Sequence, residues 1–146
     1  MLACLALALV PAALFYARRP IPIVAFAIAA ALVGQTSLLV AAFNSHPWQV
    51  EMHFYYFVVL AMLLGFCDWR VLALAAGLIS VQHLSLNYIL PNAVFPGGSD
   101  FVRAIVHAVF VVIEVAMLTL FGHTIRPLIS NSRAVAPRGR KCGGRA

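Results

Sequence analysis

Val71-Leu-Ala-Leu-Ala-Ala-Gly-Leu-Ile-Ser-Val-Gln-His-Leu-Ser-Leu-Asn-Tyr-Ile-Leu90 carries no Asp, Glu, Lys or Arg and lies between Asp68-Trp69-Arg70 and Pro91-Asn92. A bilayer core about 30 Å thick takes roughly 20 apolar residues per helix, so this run predicts a membrane-crossing helix. It nevertheless holds Gln82, His83 and Asn87. A polar or ionisable side chain in hydrocarbon is costly unless it is paired or hydrated, and so marks a candidate functional site.

Four further apolar runs accompany it. Leu2 to Ala17 is stopped by Arg18-Arg19-Pro20; a cleavable signal carries its positive charge before the apolar stretch, not after it. Ile21 to Phe43 has Pro20 and Pro22 at its first turn, where a missing N–H costs little. Met52 to Cys67 follows the connection 44–51, and Phe101 to Gly122 follows the turn 96–100, with Asp100 or Ser99 as its expected N-cap. Composition agrees: 64% of residues are hydrophobic and 10% charged, mean hydropathy is +0.99, and ordinary soluble domains carry about 25% charged residues. The predicted fold is therefore all-α, a polytopic transmembrane helix bundle of about five spans over residues 1–122. A basic, disordered cytoplasmic tail is expected over 123–146, which leaves no room for a soluble catalytic domain within the chain.

Charge supplies an orientation. Arg18 and Arg19, Arg70 and the basic tail occupy alternate connections, while those at 44–51 and 91–100 hold Glu51 and Asp100 without Lys or Arg. Basic connections stay cytoplasmic, which places loops 44–51 and 91–100 outside, and with them the N-terminus; a missing upstream helix would explain that placement. Trp48, Tyr55 and Tyr56 mark the outer end of span three, Trp69 its inner end, and Tyr88 and Phe95 flank the outer end of span four, as interfacial belts do. The net charge of +6 owes much to Arg126, Arg133, Arg138, Arg140, Lys141 and Arg145. Without a folded module or interleaved aromatics these read as a flank near anionic lipid, not as a nucleic-acid surface. Cys4, Cys67 and Cys142 form no CxxC pair or disulfide framework.

Orientation gathers the polar residues. At a rise of about 1.5 Å per residue, His83 lies roughly 10 Å, and His107 roughly 9 Å, below the outer ends of their spans. His53 opens span three and His46 sits in the loop above it. His83 and Asn87 share a helical face, as do Arg103, His107 and Glu114; Glu114 lies deepest and, if charged, needs a cation or water. The candidate ligand, metal or proton site is thus His46, Glu51, His53, His83, Asn87, His107 and Glu114, with Arg103 in support. Asp68, Trp69 and Arg70 lie at the inner interface, where a local ion pair or helix-terminal contact is expected. Three readings stay open: metal or haem ligation by neutral imidazoles, protonation sensing, and interhelical hydrogen bonding by Gln35, His83, Asn87 and His107. The ligand is left open, with haem or a transition metal as candidates. Catalysis has no support from a GxSxG, a P-loop or a nucleophile–base pair, and transport none from internal repeats.

The ordered motifs His46-Pro47-Trp48-Gln49, Glu51-Met52-His53, Cys67-Asp68-Trp69-Arg70, His83-Leu84-Ser85-Leu86-Asn87, Val94-Phe95-Pro96-Gly97-Gly98, and His107-Ala108-Val109 leading to Glu114 resemble the N-terminal membrane region of a group of bacterial methyl-accepting chemotaxis proteins. They are similar also to membrane regions preceding diguanylate cyclase modules. The resemblance covers roughly residues 1–122. It implies a non-enzymatic sensory input region, embedded in the lipid bilayer, whose chemotaxis signalling partners are reached only through a cytoplasmic domain; a homo-oligomer is a candidate assembly. The family pattern has Asp at Glu51 and a second His at Gln82, and the latter departure counts against a ligand role for that turn. An upstream helix is expected to be missing, and the Arg- and Gly-rich tail resembles no signalling stalk, so the chain is expected to be truncated at both ends. The alternatives are a stand-alone haem- or metal-binding membrane protein and a structural assembly module. The nucleotide sequence immediately downstream is expected to encode a receptor signalling module in another reading frame; an unrelated gene in every frame overturns that expectation.

Overall fold

The computed structural model describes residues 2–94 and 100–135, without the side chains of 133–135. Regular structure among the described residues is entirely helical: α1 (Leu2–Tyr16), α2 (Ile21–Ala42), α3 (Gln49–His53), α4 (Tyr55–Leu63), α5 (Trp69–Ile89) and α6 (Phe101–Val135). Single 3₁₀ turns follow α4 at Leu64–Phe66 and α5 at Pro91–Ala93. The all-α bundle is thus as expected. Four stretches, Ile21–Ala42, Gln49–Phe66, Trp69–Ile89 and Phe101–Ser132, are long and apolar enough to cross a membrane. The first of the five expected spans is a shorter apolar helix: α1 has 15 residues, and at about 1.5 Å per residue it falls short of a core about 30 Å thick.

Without a hydrophobic force between helices in lipid, packing depends on close backbone approach and on buried hydrogen bonds. Helix α2 supplies the approach. Its buried face runs Ala25, Ala29, Val33, Thr36, Val40, and it packs against α1, α3, α4 and α5. On the α1 side Gly34 is a true close approach, since a Cβ there would come within 3.1 Å of the Leu7 side chain. Gln35 Nε2 then donates to the Cys4 carbonyl at 3.1 Å. Helix α5 buries every fourth residue: Val71, Ala75, Ile79, His83, Asn87. The first three join Val33, Val40, Tyr56, Val59, Leu60, Leu63 and Val111 in one apolar core; the last two carry the same stripe into polar surroundings. Helix α6 packs on α5 and α4, burying Ala104 and Val111.

The helix starts are chemically marked. The chain leaves the turn after α4 with Cys67 in the left-handed region (φ 49°), and Asp68 then caps α5, its carboxylate accepting the Arg70 amide at 3.0 Å. Asp68 and Arg70 therefore make a helix-terminal contact rather than a mutual ion pair, and Trp69 beside them stays exposed. Asp100 takes the corresponding place on α6, accepting the Arg103 amide at 2.9 Å while Arg103 Nε lies 3.5 Å from its other oxygen. Ser99, the alternative cap, and Phe95 lie outside the described residues.

Two boundaries differ from expectation. The connection expected to run through Glu51 ends earlier, because α3 already begins at Gln49; turn hydrogen bonds from His46 N to Phe43 O and from Gln49 N to His46 O wind the chain directly into it. At the other end, the tail expected to be disordered from residue 123 continues as helix to Val135. A formed helix propagates at little cost, and Ile125, Leu128 and Ile129 keep its composition apolar through Pro127. Thr124, Ser130 and Ser132 meanwhile return their hydroxyls to carbonyls of the preceding turn. The Arg- and Gly-rich composition that suggested disorder belongs to 136–146, outside the described residues.

Asp68→Ala is expected to lower stability by about 1 kcal/mol through loss of the α5 cap, and Asp68→Asn to retain most of it. Chemical unfolding in detergent, followed by helical circular dichroism, reads the difference.

Candidate functional site

Three of the histidines meet. His53 comes from α3, His83 from the last third of α5 and His107 from the second turn of α6, all at the end of the bundle that carries the connections 44–51 and 91–100. Their ring centroids are separated by 5.6 Å (His53–His83), 6.0 Å (His53–His107) and 4.9 Å (His83–His107). The last pair is stacked, with 16° between planes, and the other two contacts are edge-on. His53 and His83 are buried and His107 half-buried.

Local helix geometry aims the rings. His53 Nδ1 lies 2.9 Å from the Gln49 carbonyl and His83 Nδ1 lies 2.9 Å from the Ile79 carbonyl, each one helical turn back. A carbonyl only accepts, so Nδ1 donates in both. In the neutral ring this assignment leaves the lone pair on Nε2. The Nε2 atoms of all three rings are shielded from solvent, and that of His107 has no hydrogen-bond partner among the described residues.

Tyr56, expected at the membrane interface beside Tyr55, is instead completely buried. Its ring lies 5.0 Å from that of His83 and 6.2 Å from that of His53. Its hydroxyl is 3.1 Å from both Ser37 Oγ and Gln82 Oε1, and Ser37 Oγ is 2.7 Å from Gln82 Oε1. Tyr56 is therefore the hinge between the imidazole centre and a polar knot joining α2, α4 and α5. Sequence reasoning missed it because a Tyr-Tyr pair near a span end has the composition of a belt; the signal available was its i, i+3 spacing from His53, which puts both on one helical face. Gln82 takes its place in this knot through Oε1.

The other candidates separate. His46 stays in the exposed connection, where its Nδ1 accepts the Trp48 amide at 3.2 Å and its ring lies edge-on to Phe43 and Trp48. Glu51 is exposed on α3. Asn87 is completely buried and its Oδ1 accepts the Asp100 amide at 3.0 Å, which ties the end of α5 to the start of α6. Gln49 does the same for α3, donating from Nε2 to the Asn92 carbonyl at 2.9 Å. Glu114 sits two turns beyond His107 on the same side of α6, half-buried, with Oε2 shielded and without a hydrogen-bond partner among the described residues. Arg103 is held at the helix start by Asp100. Asp68, Trp69 and Arg70 lie at the opposite end of the bundle and take no part.

A cavity of about 330 Å³ opens between α5 and α6 against His83 and His107, with Ile79, Phe101, Ala104 and Val111 among its walls. Two unit charges stacked at 4.9 Å would repel by roughly 3 kcal/mol at an effective dielectric constant near 20. Positive charge entering this centre is accordingly met more cheaply as one cation shared by the rings than as separate imidazolium ions. Among the described residues no three His, Cys, Asp or Glu side chains stand ready in metal-binding register. No family model, no curated protein and no solved structure matches the chain.

Tyr56→Phe removes the hydroxyl but keeps the ring. Because buried interhelical hydrogen bonds in membranes contribute about 0.6 to 1.7 kcal/mol, the variant is expected to lose stability in that range without loss of helical content, as read by unfolding in detergent.

Proposed function

We propose that this chain is the membrane-embedded sensory input region of a signalling receptor of the chemotaxis type, a non-catalytic bundle resident in a bacterial inner membrane. The observation that carries the proposal is the convergence of His53, His83 and His107 from three separate helices. A ligand or proton that binds these rings differently in two packings of the bundle shifts the balance between the packings by its difference in affinity. Helix α6 is the element suited to carry that shift. It holds His107 in its second turn and continues without interruption to Val135, a length of roughly 50 Å at about 1.5 Å per residue, well beyond a bilayer core of about 30 Å. The arginine pattern puts the histidine end outside, so α6 would run from the site to the cytoplasmic face. The ordered motifs around His46, His53, Asp68, His83 and His107 support the same reading by their resemblance to receptor membrane regions.

A second reading, a structural assembly module, is favoured by the hydrogen-bonded knot at Ser37, Tyr56 and Gln82 and by the Gln35–Cys4 contact. The full chain fused after its last residue to a diguanylate cyclase module separates the two. A sensory region is expected to give cyclic dinucleotide output that His83→Ala and His107→Ala each change severalfold at equal membrane abundance. Output indifferent to both substitutions, with stability alone reduced, sinks the sensory reading and leaves the assembly module.

A further inference from the structure

We infer that the three-imidazole centre is a binding site for a late first-row divalent transition-metal ion, held by Nε2 of His53, His83 and His107. The inference deepens the sensory proposal and rests on it only for the ion's role as stimulus, not for the binding itself. With metal–nitrogen bonds of about 2.0–2.1 Å, imidazole centres sharing one ion lie roughly 5–6 Å apart. The three centroid separations of 4.9, 5.6 and 6.0 Å fall at that spacing. Imidazole suits zinc, copper, nickel and iron. A metal-bound histidine generally donates its other ring N–H to a carbonyl or carboxylate, which fixes the tautomer and orients the ring. His53 and His83 already do so toward the Gln49 and Ile79 carbonyls.

Three protein ligands leave a fourth position open in a tetrahedral site. The cavity between α5 and α6 touches two of the three rings and offers that position to water or an anion, and gives the ion a way in. Charge is balanced unevenly around it. Arg103 lies one turn from His107 and is paired to Asp100, whereas Glu114, two turns the other way on the same side of α6, has a shielded carboxyl oxygen and is the acidic group that a dication at the rings would favour in its ionised form. The donors are not yet in register, because His83 and His107 lie stacked face to face. Coordination requires the His107 ring to turn, since His53 and His83 are held by their Nδ1–carbonyl bonds. His107 belongs to α6, so an ion at the three rings would tie that helix to α3 and α5.

The full chain, purified without a histidine tag and reconstituted in lipid nanodiscs, tests the site with Zn2+ alone. Equilibrium dialysis with mass-spectrometric metal analysis is expected to give one saturable zinc per chain, and X-ray absorption at the zinc edge to give about three imidazoles in its first shell. Since losing an outer-shell partner alone costs 10- to 100-fold in metal affinity, removing a ligand in His53→Ala, His83→Ala or His107→Ala should weaken binding by about 100-fold or more. His46→Ala and His123→Ala, which remove histidines outside the centre, should stay within about threefold of the parent. Tyr56→Phe perturbs the packing next to the rings while keeping all three and should retain zinc. Absence of saturable zinc, a first shell with fewer than two imidazoles in the unsubstituted chain, or equal binding by the triple alanine variant overturns the site. A variant that loses helical content leaves the decision to the unsubstituted chain's absorption spectrum. Output of the cyclase fusion that depends on His83 and His107 while no zinc binds removes the metal site and keeps the sensory proposal. Zinc bound by three imidazoles, with output indifferent to His83→Ala and His107→Ala, removes the sensory proposal and keeps the site.

Discussion

Hydrocarbon offers a polar atom no hydrogen-bond partner, so the polar side chains of this bundle turn to one another and to the backbone for theirs. That constraint accounts for most of the non-backbone hydrogen bonds. Ser37, Thr36 and Thr124 bond to carbonyls of their own helices, and Gln35 reaches the backbone of α1. Gln82, Ser37 and Tyr56 close on one another across three helices. Gln49 and Asn87 bond to backbone groups of neighbouring segments. Each of the bonds between segments fixes the rotation of a helix about its axis, something apolar contacts of similar size do weakly. The bundle is held in register by a few polar atoms and filled by the apolar core around Tyr56, Leu60, Leu63 and Ile79.

The histidine centre is a consequence of that register. The stripe on α5 that buries Val71, Ala75 and Ile79 reaches His83 and Asn87 with the same four-residue step, so the packing that forms the core also directs an imidazole into the bundle. Anchoring of His53 and His83 to carbonyls one turn back satisfies one nitrogen of each ring locally and turns the other edge inward. The stacked contact between His83 and His107 places the centre on the α5–α6 seam, beside the cavity. A change at the rings is a change at that seam, and α6 continues from it without a break.

Much of the architecture was legible in residue patterns. The apolar runs located the helices apart from most of α3, which fell in the expected connection 44–51; Asp100 was one of two expected caps of α6, and Asp68 was expected in a local ion pair or helix-terminal contact and proves to cap α5. Face assignments by helical spacing correctly joined His83 with Asn87 and placed His107 and Glu114 on one side of α6. Tyr56 was misread because composition near a span end does not distinguish an interfacial ring from a buried one; its partners Ser37 and Gln82 lie on helices remote in sequence. The extension of α6 past Gly122 was hidden by the averaged composition of the tail, whose Arg and Gly lie mainly beyond Val135. His46 and Glu51 were grouped with the site by proximity in the chain; His46 stays in the exposed turn at 43–49 and Glu51 lies on the exposed side of α3.

Hydropathy and helical period alone determined that this is an all-helical chain with several segments able to cross a bilayer, because the cost of exposing backbone and charge to hydrocarbon is set by composition and length. They determined too which residues had to be turned inward, since lipid rejects the alternative. Whether those inward residues meet depends on the rotation and crossing of separate helices. That was decided by the small-residue face of α2, the Ser37–Tyr56–Gln82 knot and the Asn87–Asp100 tie, contacts between positions with no common period. Only the packed structure brings three imidazoles into contact with one another while leaving His46 in the exposed connection.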